Sequence, residues 1–368
     1  MNRRQLLTST AAAAASQLLP SGQQSAQAAT PKKALMKLGC QSAPTTDQHL
    51  DFFVRHGVMN ICGDVVDSAK QGTYSVEDLS LVKERCEKHG VSLDMVAPPF
   101  LASSHVDRTA RPAIMLGQSP ERDRDIESVQ TLIKNCAKVG IPSIKYNMSL
   151  LGVVRTDRTP GRGGSTYSTW RLQEAKTSPK FTPLTRAGHV TADIYWERIT
   201  YFLEHVIPVA NEYKVRMACH PHDPGMPPEG FQGIDTVLGT PDGLKKFVSI
   251  KESPYHGLNF CQGTVSEMLH DPGKEIYDVI RYFGSRKKIF NVHFRNIRGH
   301  RDSFQETYPD EGDVDFVKAM MVYKEVGYPY MMMPDHVPVH PDDKGGLQAF
   351  AFAYGYIRAL MQAVDHMS

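Results

Sequence analysis

The run Val215-Arg216-Met217-Ala218-Cys219-His220 is β-prone and mostly apolar, and it breaks off into Pro221-His222-Asp223-Pro224, a cluster of chemically competent side chains. Other stretches share that form: Leu35–Gly39, Val58–Cys62, Val91–Val96, Ser143–Met148, Gly257–Cys261, Ile289–Arg295 and Tyr330–Pro334. Several are continuous apolar runs, as expected of parallel strands covered on both faces. Helical patterns lie between them. Val76–His89 is closed by Gly90, Arg122–Lys138 by Gly140 and Asp313–Val326 by Gly327, while Tyr195–Tyr213 is long and amphipathic. Glycine just past the last periodic residue is a helix stop, because it accepts the left-handed backbone there. Eight strand–helix alternations predict an α/β fold, a (β/α)8 TIM barrel occupying 31–368 as one domain. A doubly wound open sheet, the rival arrangement, would not need eight strands.

One connection is unusual. From Leu150 to His189 the sequence has little periodicity and is rich in Gly, Thr, Arg and Pro, including Arg155-Thr156-Asp157-Arg158 and Gly161-Arg162-Gly163-Gly164-Ser165. Loops this long inside a domain are usually functional or disordered. Following the fourth strand, an insertion over 150–190 rises over the barrel's catalytic face, where its arginines can clamp an anion; a solvated surface excursion is the competing reading.

Bulk properties narrow the partners. The 368 residues carry a net charge of +2, with 41% hydrophobic and 22% charged residues, which gives no case for nucleic acid or an anionic membrane. Six scattered cysteines are too few for a disulfide scaffold and read as buried thiols. The first 30 residues read as a twin-arginine-type leader: Arg3-Arg4, an apolar stretch Ala11–Leu19, and Ala26-Gln27-Ala28 as a cleavage site. That apolar stretch is too short to span a bilayer, so the expectation is export to the periplasm with no stable span once the leader is removed. A homo-oligomer is left open.

The chemistry concentrates where the last four strands end: His220, then Asn259-Phe260-Cys261-Gln262-Gly263, then Asn291-Val292-His293-Phe294-Arg295, then Met333-Pro334-Asp335-His336. In a barrel these ends converge on one rim. A lone His, Cys or Asp at such a place is usually structural, but one per strand on four consecutive strands points to a metal site. Two imidazoles, a thiolate and a carboxylate accommodate Zn²⁺, Mn²⁺, Fe²⁺ or Co²⁺, and ligand softness leans toward zinc.

At these residues the sequence resembles the mannonate dehydratases, xylose-isomerase-like barrels of hexuronate breakdown. The likeness also runs through Tyr146-Asn147-Met148, Arg155-Thr156-Asp157, Gly164-Ser165-Thr166, Ser303-Phe304-Gln305-Glu306 and Gly312-Asp313-Val314-Asp315. It implies that His220, Cys261, His293 and Asp335 are the metal ligands, that the preferred ion is Mn²⁺, and that His336 is an acid/base residue. The implied reaction removes water from a sugar acid to give a 2-keto-3-deoxy acid. Arg295 is then expected to bind the substrate carboxylate or balance charge, and His222 and Asp223 to orient groups or carry protons. Arg155, Asn147 and Asp223 are candidate substrate contacts.

This chain departs from the family pattern in four places, one of them Gln305 in the family's Phe-Glu or Phe-His-Glu-type stretch. His222 stands where members commonly have Asp, and Val337 where they usually have Gly. A family tyrosine downstream of the Asp-His pair has Tyr354 as its nearest counterpart, in a stretch that also reads as an aromatic core helix. Two alternatives remain: a sugar isomerase, epimerase or lyase on the same barrel, and a non-catalytic periplasmic sugar-binding protein.

Overall fold

The strands of the computed structural model, which describes residues 33–41, 44–65 and 72–367, fall where the apolar runs put them. The leader expected at 1–30 lies outside the described residues. In chain order the strands are β1 (Lys37–Gln41), β2 (Asn60–Gly63), β3 (Ser92–Val96) and β4 (Ser143–Asn147). Three short strands of the insertion follow, β5 (Thr159–Pro160), β6 (Thr166–Tyr167) and β7 (Thr169–Arg171). Then come β8 (Arg216–His220), β9 (His256–Cys261), β10 (Ile289–His293), the hairpin β11 (Ile297–His300) and β12 (Ser303–Glu306), and β13 (Met331–Met333). Eight of them close a parallel barrel in the order β1-β13-β10-β9-β8-β4-β3-β2. The (β/α)8 expectation holds.

Each strand sorts its side chains by alternation. Along β9 and β10 the outward residues Phe260 and Val292 are buried against the helices. The inward ones place Asn259 beside Asn291, with Asn291 Nδ2 donating to Asn259 Oδ1 at 2.8 Å, and Cys261 beside His293 one step higher. A separate apolar cluster of Cys62, Met95, Ala218, Phe290, Met331 and Met333 packs within the barrel.

The helices pack their apolar stripes on the outer face of the barrel. In Pro272–Ser285 the fully buried Ile276, Ile280 and Phe283 recur at helical spacing, each contributing roughly 1.5–3 kcal/mol by leaving water. The helix Glu121–Val139 ends at Gly140, whose φ of 80° is the left-handed stop its sequence suggested.

The insertion is ordered, which its weak periodicity did not reveal. β7 pairs antiparallel with β12, setting Trp170 opposite Phe304, so the excursions after β4 and after β10 form one small sheet, β11-β12-β7. Buried Trp170 meets Phe231 edge-on at 5.4 Å and Phe181 at 6.2 Å. Thr166 and Val339 exchange backbone hydrogen bonds of 2.8 and 3.1 Å, tying the insertion to the loop that follows β13. Two of its residues, Arg158 and Ser168, share a cavity with Glu306, Asp335 and His336. Among the described residues no helix is long and apolar enough to cross a membrane.

Candidate metal centre

His220, Cys261, His293 and Asp335 meet at the mouth of the barrel, all buried, each offering a ligand atom within 4.8 Å of the others. Donors at ~2.0–2.3 Å around one ion span about that separation. Their surroundings suit a cation. His220 Nδ1 donates to the Pro221 carbonyl at 2.7 Å, which turns Nε2 toward the cluster with its lone pair free. Nδ1 of buried His293 lies 3.3 Å from Asp335 Oδ1, and among the described residues its Nε2 has no hydrogen-bond partner, a state that a bound ion resolves. Cys261 Sγ accepts from Thr264 N–H at 3.4 Å and lies 3.7 Å from Asp335 Oδ2. Asp335 is steadied by Gln41 Nε2, 3.0 Å from its Oδ1. Burial opposes its ionisation, but His293 and His336 hold its carboxyl well below the usual carboxylate range.

Beside the ring lies a buried network of three acids and two guanidiniums. Arg295 Nη1 donates to Glu306 Oε1 at 2.7 Å, and its Nη2 donates to Glu267 Oε1 at 2.7 Å, Thr264 Oγ1 at 2.9 Å and Asp223 Oδ2 at 3.1 Å. Arg155 Nε donates to Glu306 Oε1 at 2.9 Å, and its Nη2 lies 2.5 Å from Asp223 Oδ1. Burying this many charges is tolerable only because each has a partner. Burial, then the neighbouring Asp223, pushes the Glu267 carboxyl up to about 8. Against the same burial, Arg155 and Arg295 pull Asp223 down to about 2. Gly263 makes the crowding feasible: a Cβ there would stand 2.2 Å from Arg295 Nε.

His336 joins the network to the ring. Its Nδ1 lies 2.9 Å from Glu306 Oε2 and 2.8 Å from Arg295 Nη1, and its Nε2 is 3.8 Å from Asp335 Oδ2. A protonated Nδ1 donates to Glu306, and a bare one accepts from Arg295. The ring is held in either state, leaving Nε2 for chemistry. His336, Asp335 and Glu306 open onto a cavity of 450 Å³, walled also by Arg158, Val337 and Phe350.

The D-mannonate dehydratase (UxuA) family matches residues 48–179 and 169–368, nearly all of the chain from residue 48 onward. The chain belongs to this family. A mannonate dehydratase of Thermotoga petrophila is 28% identical over 347 residues, covering 84% of this chain and 92% of that one. The crystal structure of mannonate dehydratase from Streptococcus suis serotype 2 superposes with a TM-score of 0.75 at 23% identity, covering 89% of this chain and 95% of that one. A xylose isomerase domain protein from Planctomyces limnophilus shares the fold more distantly, with a TM-score of 0.56 at 14% identity, covering 90% of this chain and 99% of that one.

Against the family likeness, the structure brings together the four candidate ligands, His336, Arg295, Arg155 and Asp223. Five expectations need correction. Arg155 borders a cavity with His105 and Lys180, but its guanidinium, like that of Arg295, is taken up by buried acids and is not free to clamp a carboxylate; of the two roles set out for Arg295, charge balance is the one its contacts fit. Asp223 likewise faces those guanidiniums and not substrate. His222 is no proton carrier: Nε2 bonds the Met148 carbonyl at 2.9 Å, Nδ1 accepts from Leu238 N–H at 3.4 Å, and burial lowers it to about 4. Tyr354 lies outside the barrel in the helix Leu347–Asp365, packed on Phe52, Phe53 and Phe350, with its hydroxyl toward Cys40. The aromatic-core reading of that stretch is the right one. Asn147 stands in register with His220, but it lines a separate small cleft with Leu101, Arg111 and Met115.

The sequence reading gave no role to Glu267, Glu306, Gln41 and Lys145, whose ammonium bonds Gln41 Oε1 inside the barrel. A signal existed for Glu306. Strand alternation puts it on the same face as Phe304, an acid in apolar phase.

Proposed function

We propose that this chain is a metal-dependent hydro-lyase removing water from a sugar acid, D-mannonate or a related aldonate, to give a 2-keto-3-deoxy acid. The observation that carries this reading is the buried His₂-Cys-Asp ring with His336 beside it, its Asp335 and His336 lining one cavity. The ion we assign is Mn²⁺, on the strength of the family likeness; the same donors accommodate Fe²⁺, Co²⁺ and Zn²⁺. When bound, the ion supplies Lewis-acid stabilisation of the negative charge that grows as the proton beside the carboxylate is lost.

The chain's own residues do the rest. His220, Cys261, His293 and Asp335 hold the ion. His336 Nε2 moves a proton at the reacting carbon or its departing hydroxyl, while Glu306 and Arg295 fix the ring through Nδ1. Burial lowers the affinity of His336 for its proton, yet Asp335 and Glu306 more than offset that and raise it. Trp170 and the sheet over the mouth limit access of water. We place the reaction in the periplasm, reached by the leader. Purified protein supplied with Mn²⁺ and D-mannonate is expected to release 2-keto-3-deoxygluconate. Absence of any 2-keto-3-deoxy acid from a panel of hexonates overturns this reading.

A further inference from the structure

We infer that Arg158 anchors the substrate's carboxylate in the cavity beside the metal ring, an inference that rests on the sugar-acid reading above. An anion entering this cavity meets the acids Asp335, Glu306 and Asp343 on its walls, and with the ion and His336 given to the reacting atoms, its carboxylate calls for a further cation not already committed. Arg155 and Arg295 are committed, because drawing either guanidinium away would strand buried carboxylates. Lys145 sits in register with Ala218, one inward step deeper than the Asn147–His220 level, and is held by Gln41.

Arg158 differs from all three. It is exposed on the cavity wall, and among the described residues no carboxylate pairs with it. Its one hydrogen bond is a long one, Nη1 to the Thr166 carbonyl at 3.4 Å. Asp343, the wall acid that might have claimed it, instead accepts from Gln348 N–H and Ala349 N–H at 2.9 Å each, at the start of the last helix. The backbone around Arg158 is fixed on both sides. Thr156 N–H donates to the Thr169 carbonyl at 2.9 Å, and Thr159 begins β5, which pairs with β6. A planar fork on an anchored backbone, with its donors largely unused, suits two-pronged binding of a carboxylate.

The test is calorimetric titration of the full-length Mn²⁺-loaded protein with D-mannonate and with its neutral amide. Arg158→Gln is expected to weaken D-mannonate binding roughly 10- to 100-fold, the loss of one charge-assisted pair. It should leave amide affinity and thermal melting unchanged, and Arg158→Lys should recover part of the loss. In turnover the loss falls on KM rather than kcat. Wild-type affinity for D-mannonate in Arg158→Gln, or equal losses for acid and amide, overturns the anchor. Arg158-dependent binding by wild type without turnover overturns the dehydratase reading and leaves the anchor standing. Wild-type protein that binds no sugar acid overturns both.

Discussion

Glu306 divides its two oxygens between three cationic groups, Oε1 accepting from Arg295 and Arg155 and Oε2 facing His336 Nδ1. Replacing it by Gln keeps the shape and removes the charge. Glu306→Gln is therefore expected to lower kcat by roughly 10²-fold, the weight of one proton-transfer group, with little change in KM or bound metal. Glu306→Asp should recover part of the loss. A kcat equal to wild type would show that His336 needs no such support. The ligands make a separate prediction: metal analysis of Cys261→Ala and His293→Ala should find clearly substoichiometric ion, and full occupancy in both would refute the ring. These four residues were legible because three end strands and Asp335 follows β13 by two residues, and a barrel brings strand ends to one rim. Their neighbours were less so. Nothing local tells whether Arg155 will face substrate or be neutralised by Asp223 and Glu306, because its partners arrive from elements 68 and 151 positions away.

Among the elements, the eight barrel strands could be read from their apolar runs with shifts of one or two residues at the ends. The insertion could not. Strands of two and three residues, β5, β6 and β7, are too short to show a period, and their order comes from β12, far along the chain. Trp170 is the keystone of that contact, fully buried between Phe181 and Phe231. Trp170→Ala is expected to remove roughly 3–5 kcal/mol of packing. If the insertion opens on its own, the loss will appear as protease cleavage within 157–190 and a fall in kcat before the barrel melts. Cleavage and kcat matching wild type would mean that the sheet holds without the indole.

For the molecule as a whole, acid stability has an identifiable contributor away from the metal ring. His256 is 0% exposed with Nε2 on the Phe247 carbonyl at 2.9 Å, and burial lowers its pKa from 6.5 to about 4. The folded state therefore keeps this imidazole neutral where the unfolded chain takes up a proton. Its contribution is present above pH 6.5 and is lost as the pH falls toward 4, about 3 kcal/mol in all. Urea unfolding at pH 7 and at pH 4.5 should show that slope in the wild type and a shallower one in His256→Gln; identical slopes would remove His256 from the account. Chelation should also lower the melting temperature, since an ion held only by the fold stabilises it by about 2.7 kcal/mol at a hundredfold excess over its Kd. The pairing of β7 with β12 has an evolutionary corollary. The two excursions are inherited as a single cassette: a chimera that takes either from a relative without the other would leave Glu306 on an unsupported hairpin and His336 without its brace. Diversification of the lid in this lineage must therefore proceed by coordinated change at two places more than 130 residues apart in the gene product.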